Sequence, residues 1–597
     1  MLIGLDVGGT HTDAVLVDSQ TGQCVAAVKA RTYPDDVLPG ILEALRAVLQ
    51  GGDSRRARRL CVSSTLGLNA LLTGKVDSVG MLVVPGPGMN PRLFWDADPL
   101  FHVLAGSQDH RGRIVAPCDE TAVTRILRNL RAEGVRAIGI VSKFSPKNAA
   151  LEQRLAAFAR KVFEPDAPVI LGSKVSGSLN FPRRMHTVWC NAALARVSRS
   201  FAASLTAAAA ELGLSCPVTV LKADAGVFSA DHASRDPASA MGSGPAASLL
   251  GVWALRPPSS DGVSPASRPS SPDTPGSDTL MIDMGGTTTD LALLAGGFPL
   301  LARKGLHIAG RPTAIRSLWT RSIALGGDSS LRFVDGQPCI GPDRSGPALA
   351  LRAPDEQPAD RPPTLTDALN VLGLTVLGNP KLSLEAMHAL AALAGSPAGD
   401  PLVLSELFVA KALHTVRQHV ETLLEEVNAQ PVYTIRELLV SGALRPRQAA
   451  FIGGPAQALA VKAAKALGMP VFAPEKSACA NAVGAALALP TLTAELYADT
   501  LLGRMSIPDF GVEKDIGREY HLPDAERDMQ TAFAGFRARD PSFVEQFSPC
   551  TDEHGCGEHS IQTVYAESFA MLDDERRRGR ILRLRAQLAA GLIRTAF

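Results

Sequence analysis

The sequence predicts an α/β protein made of two lobes, and three observations carry that expectation. Strand-like and helix-like runs alternate from the first residues, an eight-residue glycine motif occurs twice, and a Pro/Ser/Gly break separates the two copies. Alternation of this kind places helices against a largely parallel sheet.

Within 1–180 the strand-like runs LIGLDV, QCVAAVKA, RLCVSST, SVGMLVVP and AIGIVSKF are interleaved with the amphipathic patterns LPGILEALRAVL and VTRILRNLRAEG. Over 181–255 the pattern turns helical. A long helix is predicted to stop at Gly213, because glycine readily takes the left-handed conformation that closes a helix, and a short strand at 217–221 follows. Residues 256–278 carry too few large apolar groups to offset chain ordering and read as a linker or loop. The Pro-rich run 353–363 reads as a surface excursion. A second lobe is expected over 279–490, opening with LMIDMGG and holding helices at 407–427 and 455–467. Residues 491–597 read as a separate tail of unknown role, with a charged helix at 573–592 whose Arg-rich part is a solvated face.

Lys plus Arg number 60 against 59 Asp plus Glu, a balance that calls for neither nucleic acid nor an anionic membrane. The opening MLIGLDVGGT has no basic region and meets Asp6 at once, so no secretory signal is expected. No membrane-spanning run is evident, and nine scattered cysteines suit reduced thiols in a cytoplasm. Cys550, His554, Cys556 and His559 form one local cluster, open between a zinc site and a polar surface loop; its spacing matches no common zinc module.

Overlaying the chain on itself sets Asp6-VGGTHT-Asp13 on Asp283-MGGTTT-Asp290, identical at six of eight positions. Each copy lies between two apolar strands. Gly-Gly there reads as a hairpin turn using positive φ. A glycine turn lets backbone N–H groups approach phosphate oxygens, and the threonines add hydroxyl donors. An aspartate at the strand end suits hydrated Mg²⁺, which takes one or two carboxylates beside phosphates. One copy alone could be an Asp-capped turn, but two copies, each opening an α/β lobe, point to a polyphosphate clamped from both sides. No G-x-x-x-x-G-K-[ST] occurs, nor a G-x-G-x-x-G after a strand. A third element, AFIGGPAQALAVKAAKALG, reads as a strand, a Gly453-Gly454 turn and a helix, and suits close approach of a nucleoside. The small-residue run 478–489 that follows suits a hinge helix or plain core packing.

The paired hairpins and the Gly-Gly-Pro element resemble the phosphate and adenosine motifs of the actin, sugar-kinase and heat-shock ATPase superfamily. More narrowly, the chain is similar to the alpha subunits of the hydantoinase/5-oxoprolinase family. That likeness rests on Ser63-STLGL-Asn69-Ala70-Leu71-Leu72, Arg184-MHTVWC-Asn191-Ala192, Ser243-Gly244-Pro245-Ala246-Ala247, Gly326-Gly327-Asp328-Ser329, Gly341-Pro342 and Thr364-LT-Asp367-Ala368. Leu68, Lys222-ADAG and Asp328 depart from the family pattern, and 491–597 has no evident match.

The resemblance implies a two-lobed actin-like (RNase H-like) ATPase fold with the nucleotide in an interlobe cleft. It also implies ATP-dependent ring opening of a cyclic amide, in which phosphoryl transfer to the amide oxygen makes an inert carbonyl reactive. A hydantoinase B/oxoprolinase-type beta subunit is the implied partner. On this reading Asp6 and Asp283 serve the metal and the catalysis. Gly8, Gly9, Thr10, Thr12, Gly285, Gly286, Thr287 and Thr289 hold phosphates, and Gly453 and Gly454 the nucleoside. Asp13 and Asp290 are second choices that could instead brace the hairpins. A carboxylase component and an ATPase that reactivates or assembles a partner enzyme are the alternatives.

Overall fold

Leu2, Ile3, Leu5 and Val7 are at most 1% exposed, so the first strand, Leu2–Val7, is covered on both faces. Near-continuous apolar runs of this sort belong to interior strands. The computed structural model describes residues 1–9, 11–33, 36–50, 56–255, 278–352, 361–394, 399–429, 443–543, 561–572 and 578–593. The linker 256–277, the segment 353–360, Thr10 and the Cys550–His559 cluster lie outside the described residues.

The chain divides into two units. One comprises Met1–Ala246, Leu301–Leu318 and Ala485–Phe597; the other comprises Ala247–Leu300 and Trp319–Gly484.

In the first unit, Leu2–Val7 pairs antiparallel with His11–Val17, which pairs antiparallel with Cys24–Arg31. On its other side it pairs parallel with Arg59–Ser64, followed by Val218–Leu221 and Val227–Ser229. A second, parallel sheet runs Val169–Leu171, Ala137–Ser142, Val79–Val84, Phe101–Val103. The long helix Phe181–Glu211 lies against it, with Met185, Val188 and Ala192 in a core shared with Met81 and Val141. Asn180 caps that helix by accepting from the Arg183 N–H, and Pro182 stands in its first turn. Its end falls where glycine was expected to place it. Gly213 has φ +67°, and the Leu214 N–H reaches back to Ala209 O at 2.9 Å.

The second unit repeats the sheet order. Thr279–Met284 pairs antiparallel with Thr289–Ala295 and parallel with Gln448–Ile452, beyond which lies Val471–Phe472. Helices Leu365–Val371, Pro380–Ala394, Pro401–Asn428 and Ala456–Leu467 carry Leu369, Met387, Phe408 and Leu459 into its core. Ala456–Leu467 ends on Gly468 at φ +67°, again as the sequence suggests.

The charged helix expected at 573–592 is instead a strand, Arg578–Leu588, inside a five-stranded antiparallel sheet. Period two explains the difference. Leu582, Leu584, Ala586 and Leu588 are at most 1% exposed, and Arg583 and Arg585 alternate with them on the other face. There Arg585 Nε donates to Glu495 Oε1 at 2.8 Å and Arg583 Nε donates to Glu495 Oε2 at 3.3 Å. Glu495 is a buried carboxylate that the arginines neutralise, so the charges serve the interior rather than solvent.

Among the described residues all seven cysteines are free, and no helix is long and apolar enough to cross a membrane. No group of three or more His, Cys, Asp or Glu side chains in those residues is arranged to hold a metal ion by itself.

Candidate functional site

Each unit presents its glycine hairpin in the same geometry. The Gly8 N–H donates to His11 O at 3.0 Å, with Asp6 opposite Asp13 and Val7 opposite Thr12 in the ladder. The Gly285 N–H donates to Thr288 O at 2.9 Å, with Asp283 opposite Asp290 and Met284 opposite Thr289. Gly9, Gly286 and Thr287 are exposed at the tips, while Asp6 and Asp283 are half-buried at the strand ends.

None of Gly8, Gly9, Gly285 or Gly286 has a positive φ, so the conformational argument for these glycines is corrected. Two of them, Gly8 and Gly286, are short of space for a side chain. A Cβ on Gly8 would stand 3.0 Å from His11 O, and one on Gly286 would stand 2.6 Å from Asp328 Oδ2. The threonines divide similarly. Thr12 and Thr289 are fully buried; the Thr12 hydroxyl lies 2.8 Å from that of Thr32, and Thr289 Oγ1 donates to Leu325 O at 2.7 Å. These two hydroxyls brace the hairpins from inside, which leaves the tip residues as the donors available to a ligand.

Around the first hairpin, the Thr65 N–H donates to Val7 O at 3.4 Å, and Asn69 Nδ2 donates to Thr65 Oγ1 at 3.3 Å. Asn69 Nδ2 is also the nearest group to a Cβ built on Gly9, at 3.9 Å. Ser243 Oγ accepts from the Ser64 N–H at 3.2 Å and donates to Ser64 O at 3.0 Å. Two of the segments singled out in the sequence therefore meet at this turn. Asp13 takes a hydrogen bond from Lys29 Nζ at 2.7 Å, which suits a bracing role.

Around the second hairpin, Ser248 Oγ donates to Asp283 Oδ2 at 2.6 Å, and Asn481 Nδ2 lies 3.5 Å from the same oxygen. Neither residue was singled out in the sequence. Ser248 stands one position beyond the quoted Ser-Gly-Pro-Ala-Ala motif, and Asn481 sits in the small-residue run that reads equally well as core. Burial, and then the Asp283 carboxylate beside it, push the Asp290 carboxyl up to about 6. Gly453 packs directly under the site: its φ is +94°, and a Cβ there would stand 2.2 Å from Met284 O and 2.9 Å from Asp283 Oδ1. Gly454 is the opposite case, with nothing within 4 Å of a Cβ.

The Gly326-Gly327-Asp328 run closes the hairpin's other flank. The Gly327 N–H donates to Gly285 O at 2.9 Å, the Asp328 N–H donates to Gly286 O at 2.7 Å, and Arg344 pairs with the Asp328 carboxylate at 3.1 Å. Thr366 holds the run from behind, its hydroxyl donating to Gly327 O at 2.9 Å. Asp367 is fully buried and accepts from Leu349 N, Ala350 N, Thr364 N, Thr364 Oγ1 and Ser383 Oγ. Asp367 is thus scaffolding. Asp367→Asn turns its amide NH₂ onto at least one backbone N–H in either orientation, and is expected to destabilise this unit by about 2 kcal/mol, read as an earlier midpoint in thermal unfolding; an unshifted midpoint contradicts the role.

Taken singly, these groups fit Mg-ATP by their chemistry. Carboxylate oxygens suit a hard cation that keeps its waters, exposed glycine-turn amides suit phosphate oxygens, and the open backbone at Gly454 suits a flat nucleoside.

A hairpin feeding a parallel strand, with the sheet order occurring once in each unit, defines an α/β fold with an internal repeat. The chain belongs to the hydantoinase/oxoprolinase family: the model of the family's N-terminal region matches residues 2–163, and the hydantoinase/oxoprolinase model matches residues 184–494. It is 26% identical over 485 residues to caprolactamase subunit alpha of Pseudomonas jessenii, covering 76% of this chain and 64% of that one. With the 5-oxoprolinase of Saccharomyces cerevisiae it shares 25% identity over 440 residues, covering 63% of this chain and 32% of that one. The chain thus spans less than two thirds of the length of these relatives. Its fold is similar to the nucleotide-free structure of acetone carboxylase, at a TM-score of 0.67 and 17% identity, covering 100% of this chain and 88% of that one. The crystal structure of the ATP-dependent caprolactamase from Pseudomonas jessenii gives the same TM-score and identity, covering 99% of this chain and 87% of that one.

Proposed function

We propose that the protein is an Mg-ATP-dependent hydrolase of cyclic amides that works in the cytoplasm with a second, beta-type subunit. The observation that carries this reading is the duplicated hairpin, identical in register in both units, with a strand-end aspartate in each. The family relationship supplies the substrate class, since the relatives are named for a caprolactam and for 5-oxoproline.

ATP supplies a transferable phosphoryl group, which would convert the amide oxygen into a better electron sink and open the carbonyl to water. This chain's residues hold and orient. The tip backbone of Gly8-Gly9 and Gly285-Gly286-Thr287 would receive phosphate oxygens, Asp6 and Asp283 would orient the hydrated magnesium, and Gly453-Gly454 would lie against the nucleoside. Ser248 and Asn481 would fix the Asp283 carboxylate by hydrogen bonds to Oδ2. Positioning and charge neutralisation of this kind supply most of the catalysis in phosphoryl transfer.

The test is ATP hydrolysis with a panel of lactams, hydantoins and oxoproline, run with the chain alone and with the beta-type subunit, while following ring-opened product. Product formed in step with ADP supports the reading. ATP turnover coupled only to carboxylation, or to release of a partner enzyme without small-molecule product, overturns it.

A further inference from the structure

The first unit contains an open cavity of about 450 Å³ near the start of helix Phe181–Glu211, a size typical of small-molecule sites. Its walls include Phe94, Phe144 and Phe181, and Lys143 and Arg183 are the charged groups lining it. Among the described residues no carboxylate lines it. We infer that this cavity binds a small organic carboxylate: an apolar body against the phenylalanine walls, its acid group received by Lys143 and Arg183.

The two cations are what distinguish the cavity from an ordinary surface hollow. Other basic groups nearby are engaged by the fold. Arg184 donates to Ser145 Oγ at 2.7 Å and to the carbonyl oxygens of Ser142 and Lys143 at 2.9 and 2.6 Å. Arg311 is ion-paired with Asp96 at 2.5 Å. Among the described residues, by contrast, neither Lys143 nor Arg183 has a carboxylate within ion-pairing distance. Burial pulls the Arg183 pKa down, and no acid stands near enough to offset that loss. Lys143 Nζ lies 5.4 Å from the Phe144 ring centre, which keeps the ammonium on the aromatic wall. Asn180 also lines the cavity; its side-chain oxygen accepts from the Arg183 N–H, which leaves the amide NH₂ as the end able to donate to an anion.

A guanidinium and an ammonium that are half-buried without a counter-charge favour an anion over a neutral or cationic ligand. The phenylalanine walls favour one with an apolar body over a hydrated inorganic anion. An ω-amino acid would bring a third cation into a site that already holds two, so the ligand is a carboxylic acid without an amine. This inference does not rest on the nucleotide reading, and its test is run without ATP.

Binding of phenylacetate, phenylacetamide and inorganic phosphate to the full chain is measured by calorimetry and ligand-observed NMR. Phenylacetate is expected to bind at least ~10-fold more tightly than either of the other probes, and its affinity is expected to fall as salt rises while that of phenylacetamide stays flat. The pair Lys143→Gln with Arg183→Gln is expected to remove the preference, and Arg183→Lys alone to retain most of it. The salt series on the unmodified chain keeps the test independent of how the variants fold. Equal affinity for acid and amide, tighter binding of phosphate, no binding of any probe, or a preference that survives the double substitution each overturns the inference. Adding phenylacetate to an ATP turnover assay separates the sources: a changed rate marks a substrate or product subsite, an unchanged rate a separate ligand site, and binding supports the inference in both cases.

Discussion

Asp283→Asn is expected to lower ATP turnover at least ~100-fold while changing ATP affinity little. Asparagine is nearly isosteric, and its carbonyl oxygen can still accept the hydrogen bond that Ser248 Oγ gives Asp283 at 2.6 Å. The ladder pairing of Asp283 with Asp290 is a backbone property and should survive. What disappears is the negative charge, and a charge that orients a hydrated cation acts mostly in the transition state. Steady-state hydrolysis together with nucleotide titration separates the outcomes. An unfolded variant would make Asp283 a turn cap, and wild-type turnover would remove the second hairpin from the proposed mechanism.

Gly453→Ala is expected to abolish measurable ATP binding and to destabilise the second unit by about 3–5 kcal/mol. Two costs combine there. The backbone stands at φ +94°, which L-residues other than glycine rarely adopt, and the new Cβ would be 2.2 Å from Met284 O, a backbone atom that cannot swing aside. The only relief is to push apart the strands Gln448–Ile452 and Thr279–Met284, and the second of these carries Asp283. Gly454→Ala is the internal control, because nothing lies within 4 Å of its Cβ. Its stability is expected to match the unmodified chain, so any lost affinity would report a ligand lying over Gly454. Equal stability of the two variants would contradict the packing argument.

The hairpins were legible in the sequence because the same eight-residue pattern occurs twice, and the long helix was legible from its helical pattern after Phe181 and the Gly213 that ends it. Side-chain roles inside the hairpins were less so. Thr12 and Thr287 look equally suited to a phosphate on paper, but strand alternation turns Thr12 inward to Thr32 while Thr287 stays at the tip. The space beside Gly286 is taken by the Asp328 side chain, 42 residues away, a contact no local pattern announces. Ser248 and Asn481 reach Asp283 from segments far apart in the chain, and their residue types are ordinary in helices. Arg578–Leu588 was misread because charge content outweighed its alternation; the buried partner that makes the arginines interior, Glu495, lies more than eighty residues upstream.

Whether the paired glycine hairpins hold a magnesium-bound polyphosphate is tested by titrating the full chain with ATP in the presence and absence of Mg²⁺. Binding is expected to be saturable, to strengthen at least ~10-fold when Mg²⁺ is added, and to be lost when the tip glycines Gly9 and Gly286 are both replaced by valine. Binding that is undetectable, or equal with and without Mg²⁺, would contradict it.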